Sequence, residues 1–304
     1  QYAGYLFGAT SHSDNSLKIP ATLKTVSLGG VLTEIPAYAF FDCNDLEAIL
    51  LSPKIASVGK FAFFNCKRLC YIPLDGLREI GEYAFHSCSS LTVLSLGEEL
   101  LSVGIGAFEG CDGLRRMTLP FIGGGSEENA YLGYIFGAAV PEFSRGYYPE
   151  ELSEILLLDG CRVLGTDAFY ECLSLASVRL SANTERIGSR AFYGCLNLRA
   201  IDLPGTLTEI GDNAFMYCYY LESLTFGESN TPLQIGINAF SFCRSLRELV
   251  LPDRLTAIPD SCFASCDALE QIDLGGVRAV GKNAFRGCAA LRGASAREGI
   301  TLAD

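Results

Sequence analysis

Thirteen cysteines, two histidines and a few adjacent carboxylate pairs are the residues of this 304-residue chain whose types could do chemistry. Cysteine and histidine at short fixed spacings build zinc sites. No C-x-x-C pair occurs here; Cys66/Cys70 and Cys262/Cys266 are C-x3-C, and only His12 and His86 supply imidazoles. Too few ligands converge for a zinc site, and no metal or other cofactor is expected. A nucleophilic Ser or Cys needs a positioned imidazole. His86 fills a variable turn slot and His12 lies in a Ser/Asp/Asn-rich stretch, so both read as exposed turn or loop residues. Glu98-Glu99 and Glu127-Glu128 are neighbours in sequence rather than convergent pairs, and read as solvated. The run Gly123-Gly124-Gly125 suggests a phosphate loop until one looks for the Lys-Ser/Thr that should follow; none does, and a flexible connection is expected. No set of catalytic roles can be assembled.

The cysteines make sense once their spacing is read. Residues 58–74 (VGKFAFFNCKRLCYIPL), 80–96 (IGEYAFHSCSSLTVLSL) and 187–203 (IGSRAFYGCLNLRAIDL) are three of ten copies of one pattern. Its form is [IVL]-[GP]-x-x-A-F-x-x-C-x-x-L-x-x-[IVLM]-x-[LF], with Ala replaced by Cys262 in one copy. Copies follow at 22, 23 or 25 residues, except for one gap of 61. A period in this range is the mark of a stacked array. The alternating tail has the period of a half-buried strand, too short to stand alone. Stacking one such strand per coil satisfies the backbone in a parallel ladder. Eleven strands are expected, from 23–28 to 269–274, with 69–74 among them. The Gly or Pro after the leading aliphatic marks a bend. The Ala-Phe pair places one ring inside each coil, and the Cys column from Cys43 to Cys288 reads as buried, reduced thiols. Parallel inward-pointing thiols lack the opposed geometry of disulfides.

A longer repeat overlies the short one. Residues 1–9 (QYAGYLFGA) and 130–138 (AYLGYIFGA) correspond at an offset of 129, which holds through Phe40 and Phe169. The chain is therefore one continuous solenoid, 1–304, of two tandem modules, 1–129 and 130–304. The long gap contains an insertion at about 120–151. The final copy degrades to Ala294 and Ala296 and shows no polar cap, so the array is expected to continue in the native protein. Gln1 opens directly into patterned sequence, with no leader visible.

The motif resembles the BspA-type, or Treponema pallidum-type, leucine-rich repeat, in Ile187-Gly188, Ala191-Phe192, Cys195, Leu198, Ile201 and Leu203-Pro204. The resemblance spans essentially the whole chain. It implies a mostly β repeat solenoid: a right-handed superhelix of about 11–12 coils, with a parallel sheet on the concave face. It also implies a secreted or cell-surface protein of the kind that adheres to host matrix, host cells or other bacteria. A cytoplasmic scaffold stays open, because thirteen unpaired thiols suit a reducing compartment. The net charge of −12 argues against a nucleic-acid partner and against docking on anionic lipid. No apolar run reaches membrane-spanning length, so no membrane insertion is expected.

Binding, if it occurs, is expected on the outward strand positions. Ala48, Leu50, Tyr71, Pro73 and Val93 form an apolar patch on the first module, with Arg116 next in line. The corresponding positions of the second module are mostly polar, including Arg179, Asp202, Glu248 and Asp273. Phe143, Tyr147 and Tyr148 sit in the insert, read as a loop, and suit either recognition or anchoring of that loop. The expected role is a non-catalytic module at the cell surface or outside the cell that binds a protein or glycan. A structural spacer with no ligand of its own is the alternative.

Overall fold

A computed structural model describes residues 2–125 and 130–296, and the backbone of 301–302. Glu127 and Glu128 lie outside the described residues. The chain is a parallel-strand solenoid of about a dozen turns with little helix. Gln1–Leu152 and Ser153–Asp304 form two compact units.

Most coils contribute a long strand and a short one, and each kind stacks in parallel register. In the first unit Thr25–Leu28 pairs with Ala48–Leu51, and Val93–Ser95 with Arg116–Leu119. In the second, Glu154–Leu157, Ser177–Arg179, Ala200–Leu203 and Ser223–Phe226 form one ladder. Glu248–Val250, Gln271–Asp273 and Gly293–Ser295 form another. The leading aliphatic is more than a bend: Glu34–Ile35, Ser57–Val58, Glu79–Ile80 and Ser102–Val103 make a second ladder. The glycine that follows is there for room. A Cβ on Gly81 would lie 2.6 Å from the Lys60 amide nitrogen of the coil before, and one on Gly104 would lie 2.4 Å from that of Glu82.

The Phe column is the core. Phe40, Phe63, Phe85 and Phe108 stack nearly parallel at 5.1, 5.1 and 5.3 Å. Phe169 to Phe285 does the same in the second unit, at 4.9 to 5.7 Å. The Phe63 N–H donates to the Ala84 carbonyl of the next coil, and the Phe85 N–H to Ala107. The turn around each Ala-Phe pair holds two left-handed positions, one before Ala and one before Cys. Phe61 (φ 56) and Asn65 (φ 60) occupy them in one coil. Their N–H groups donate to Glu82 and His86 of the following coil, which holds that costly conformation in place.

Cysteine recurs because it is a compact donor. The Cys66 thiol donates to the Phe40 carbonyl at 3.0 Å, Cys111 to Phe85 at 3.1 Å and Cys218 to Phe192 at 3.2 Å. None of the thirteen cysteines is in a disulfide, and only Cys70 is exposed.

Three expectations need correction. Residues 69–74 form no strand, only isolated bridges at Tyr71 and Leu74. Pro73 has no N–H to give a ladder. The supposed insertion is also partly ordinary solenoid. The Phe108 N–H donates to the Ile135 carbonyl at 2.9 Å, and Gly106 to Tyr134 at 3.0 Å, so Tyr134-Ile135-Phe136 closes a coil where x-Ala-Phe would. Finally, the tri-glycine is not a flexible connection. The Gly124 carbonyl accepts from the Val103 N–H at 2.9 Å, and a Cβ there would meet the Tyr134 ring at 2.6 Å.

Candidate functional site

The outward columns of the first unit follow from its register. Thr25 pairs with Ala48, Ala48 with Tyr71 and Val93 with Arg116; Ser27 pairs with Leu50. Side chains at these positions alternate with the buried Ile49, Leu94 and Met117, and so must face outward. Leu50 is 46% exposed, Tyr71 55% and Val93 53%, which is high for large apolar residues beside one another. Ala48 and Pro73 are half-buried, and Arg116 is exposed. The Pro73 coil meets the coil after it through an isolated bridge, Leu74 to Leu96. The recess between them measures about 390 Å³ and is lined by Tyr71, Ile72, Pro73, Thr92, Val93 and Ser95, among others. Reasoning from alternation alone finds the column but not this opening.

Corresponding positions in the second unit carry more charge and internal pairing. Thr225 hydrogen-bonds Asp202, and Arg179, Glu248 and Asp273 are exposed. Leu156 and Val250 are the exposed large aliphatics at these positions.

The three insert aromatics divide. Tyr148 is half-buried and packs edge-on against the Phe136 ring at 6.2 Å, an anchoring contact. Phe143 is 65% exposed, and Tyr147 is also exposed. They do not sit on an open loop: Phe143 lies within a 3-10 helix, Pro141–Gly146, and Tyr147 caps it.

The two histidines are structural. His86 is not an exposed turn residue; its ring stacks on Phe64 at 4.5 Å and Nδ1 lies 2.9 Å from the Ser87 hydroxyl. This belongs to an outer aromatic column, Phe41, Phe64, His86, beside a second, Tyr38, Phe61, Tyr83. The sequence pattern marks these slots only as variable. His12 packs on Tyr38 at 4.3 Å within a short 3-10 helix, His12–Asp14, rather than in a loop. Burial pushes the Cys88, Cys172 and Cys195 thiols up, Cys172 to about 12, so these stay protonated and unreactive at neutral pH, whereas a hydrogen bond with Cys266 lowers Cys288. Glu98 and Glu99 are both exposed. Among the described residues no group of three or more His, Cys, Asp or Glu is placed to hold a metal ion, and no helix is long and apolar enough to cross a membrane.

Stacked parallel strands, one Phe and one Cys per turn and a strand face lined by variable residues define a leucine-rich-repeat solenoid, a scaffold of the protein-interaction type. The chain belongs to the BspA type leucine-rich repeat family, whose sequence profile matches six copies over residues 11–127, 144–234 and 229–302. Among solved structures it is similar to a leucine-rich repeat protein from Bacteroides ovatus, at 20% identity over 89% of this chain and 78% of that one, with a TM-score of 0.45. A leucine rich cell surface protein from Faecalibacterium prausnitzii is 26% identical, covering 90% and 78% of the two chains with a TM-score of 0.37. The Treponema pallidum leucine-rich repeat protein is 22% identical over 75% and 80%, with a TM-score of 0.34. No functionally curated protein matches the chain.

Proposed function

We propose that this chain is a non-catalytic binding module displayed at a bacterial cell surface, and that it grips a protein or glycan through the Leu50, Tyr71 and Val93 face. The carrying observation is that two of these exposed apolar side chains, Tyr71 and Val93, line the recess beside Pro73. Apolar anchors beside a cleft are what hot spots need. Ser95 in its lining and Arg116, the ladder partner of Val93, supply polar groups that orient a ligand. Surface display is supported by membership of a family typical of cell surfaces. Adhesion follows as the use to which such a module is put.

The test is a binding screen of the chain against extracellular-matrix proteins and gut-type glycans. The comparison is the double variant Leu50→Ser with Tyr71→Ala, whose altered side chains are exposed and leave the core alone. Binding by the parent that the variant loses supports the proposal. Binding that both retain moves the site to Phe143 and Tyr147 or to the second unit. No binding across the panel favours the spacer role.

A further inference from the structure

The short ladder of the first unit carries an outward column of its own. Glu34 pairs with Ser57, Ser57 with Glu79 and Glu79 with Ser102, each beside a buried aliphatic of the core. Long acidic and short hydroxyl side chains therefore alternate from coil to coil along this face. The face forms a groove of about 670 Å³. Pro36 and Leu101 add apolar surface to it, and among the described residues no Lys, Arg or His lines it. Glu82, also in the lining, is already held by Lys60. Glu34 and Glu79 are exposed, and among the described residues neither forms an ion pair. The matching column of the second unit neutralises its charge internally, with Arg186 bound to its ladder partner Glu209 at 2.9 Å.

We propose that this groove binds a basic peptide in an extended, polyproline-type conformation, with Lys or Arg side chains three residues apart set against Glu34 and Glu79. Neighbouring parallel strands lie about 4.8 Å apart, so carboxylates two coils apart are spaced by about 10 Å. A polyproline-type chain turns the same face outward every three residues, about 9 Å along its axis. The two repeats match when the peptide runs across the strands, along the stack of coils. A β-extended peptide presents same-face side chains about 7 Å apart and falls out of step. Ser57, between the two acids, is short enough to let the peptide backbone approach the ladder, and its hydroxyl can donate to a peptide carbonyl. Leu101, 56% exposed, and Pro36 give apolar surface along which the methylene stems of basic side chains lie. Glu34 and Glu79, which have no cation of their own, supply the charge complementarity that Glu82 and Glu209 have already satisfied. The site is separate from the Leu50, Tyr71 and Val93 face, and either stands without the other.

Fluorescence anisotropy of a labelled peptide of four Lys-Pro-Pro repeats, titrated with the full chain, tests this. The parent is expected to bind, and to bind more weakly as salt is raised. Glu34→Gln with Glu79→Gln is expected to weaken binding about tenfold. The melting curve should not change, because both side chains are exposed. Glu98→Gln with Glu99→Gln removes the same charge from another exposed pair and should leave affinity within about twofold. A peptide of four Lys-Pro repeats carries the same charge at the wrong interval and should bind several-fold more weakly. No binding by the parent overturns the proposal. Equal weakening by the two pairs of substitutions also overturns it, by reducing the attraction to the net charge of −12. Equal affinity for the two peptides does so as well, by removing the match of spacing.

Discussion

The Cys88 thiol donates to the carbonyl oxygen of Phe63, 3.2 Å away in the preceding coil. That same carbonyl already accepts from the Cys66 N–H, so one oxygen ties its own turn and the next coil together. Cys88 is fully buried, and its loss leaves both a cavity and a weakened carbonyl. Cys88→Ala is expected to cost about 1–3 kcal/mol, read from urea unfolding. An unchanged midpoint would mean the thiol is packing material only.

Stability should fall steeply in alkali. Burial holds nine thiols, Cys66, Cys88, Cys111, Cys172, Cys195, Cys218, Cys243, Cys262 and Cys266, above their ordinary value of 9.0, with hydrogen bonding between thiols adding at Cys66 and leading at Cys266. A group raised in the fold contributes fully below its unfolded value and loses that contribution as pH climbs toward its folded one. Each such thiol removes about 1.4 kcal/mol per pH unit through that window. Melting temperature is expected to be level up to about pH 8 and to drop sharply above 9. A flat profile from pH 9 to 11 contradicts this.

Two glycines should behave oppositely. Gly81→Ala drives a methyl against the Lys60 amide at 2.6 Å and is expected to destabilise by about 1–3 kcal/mol or more. Gly76→Ala meets nothing within 4 Å and should change stability by less than about 0.5 kcal/mol. Thermal denaturation of the pair reads the difference directly.

Arg254 braces the second unit across two coils. It is nearly buried; its guanidinium donates to the Leu207 carbonyl, to Thr231 at 3.3 Å and to Pro204 at 3.5 Å. Arg254→Ala strips three carbonyls of a charged partner and should cost about 2–4 kcal/mol. Lysine lacks the planar fork and should not restore it. Hydrogen exchange at 227–233 is expected to rise in both variants, and protection equal to the parent's would remove the brace from the account.

Much of the fold was legible because identical coils must repeat identical contacts. The spacing of Phe40, Phe63 and Phe85 already implies stacked rings, and alternation around Ile49 implies that Ala48 and Leu50 point away from it. What escaped depends on contacts between coils rather than within one. Gly81 reads as a turn residue until the neighbouring backbone is seen 2.6 Å from it. Ile135-Phe136 substitutes for Ala-Phe without the Cys that marks other turns, so its role is visible only in the bond from Phe108. The recess at Tyr71 lies between two coils joined by an isolated bridge at Leu74 and Leu96, and a hydropathy pattern is blind to pairing.

The recurring bond from a column Phe to the matching residue of the next coil, Ala in most of them, has a genetic consequence. Every contact that holds a coil is an agreement with a neighbour built to the same plan, so one whole period can be gained or lost without inventing new packing. A gene for such a chain can lengthen by copying itself in frame, one coil or several at a time, and the likeness of residues 1–9 to 130–138 is what copying of several coils would leave. Selection on the outward columns can then act on the duplicate while the inward columns hold still.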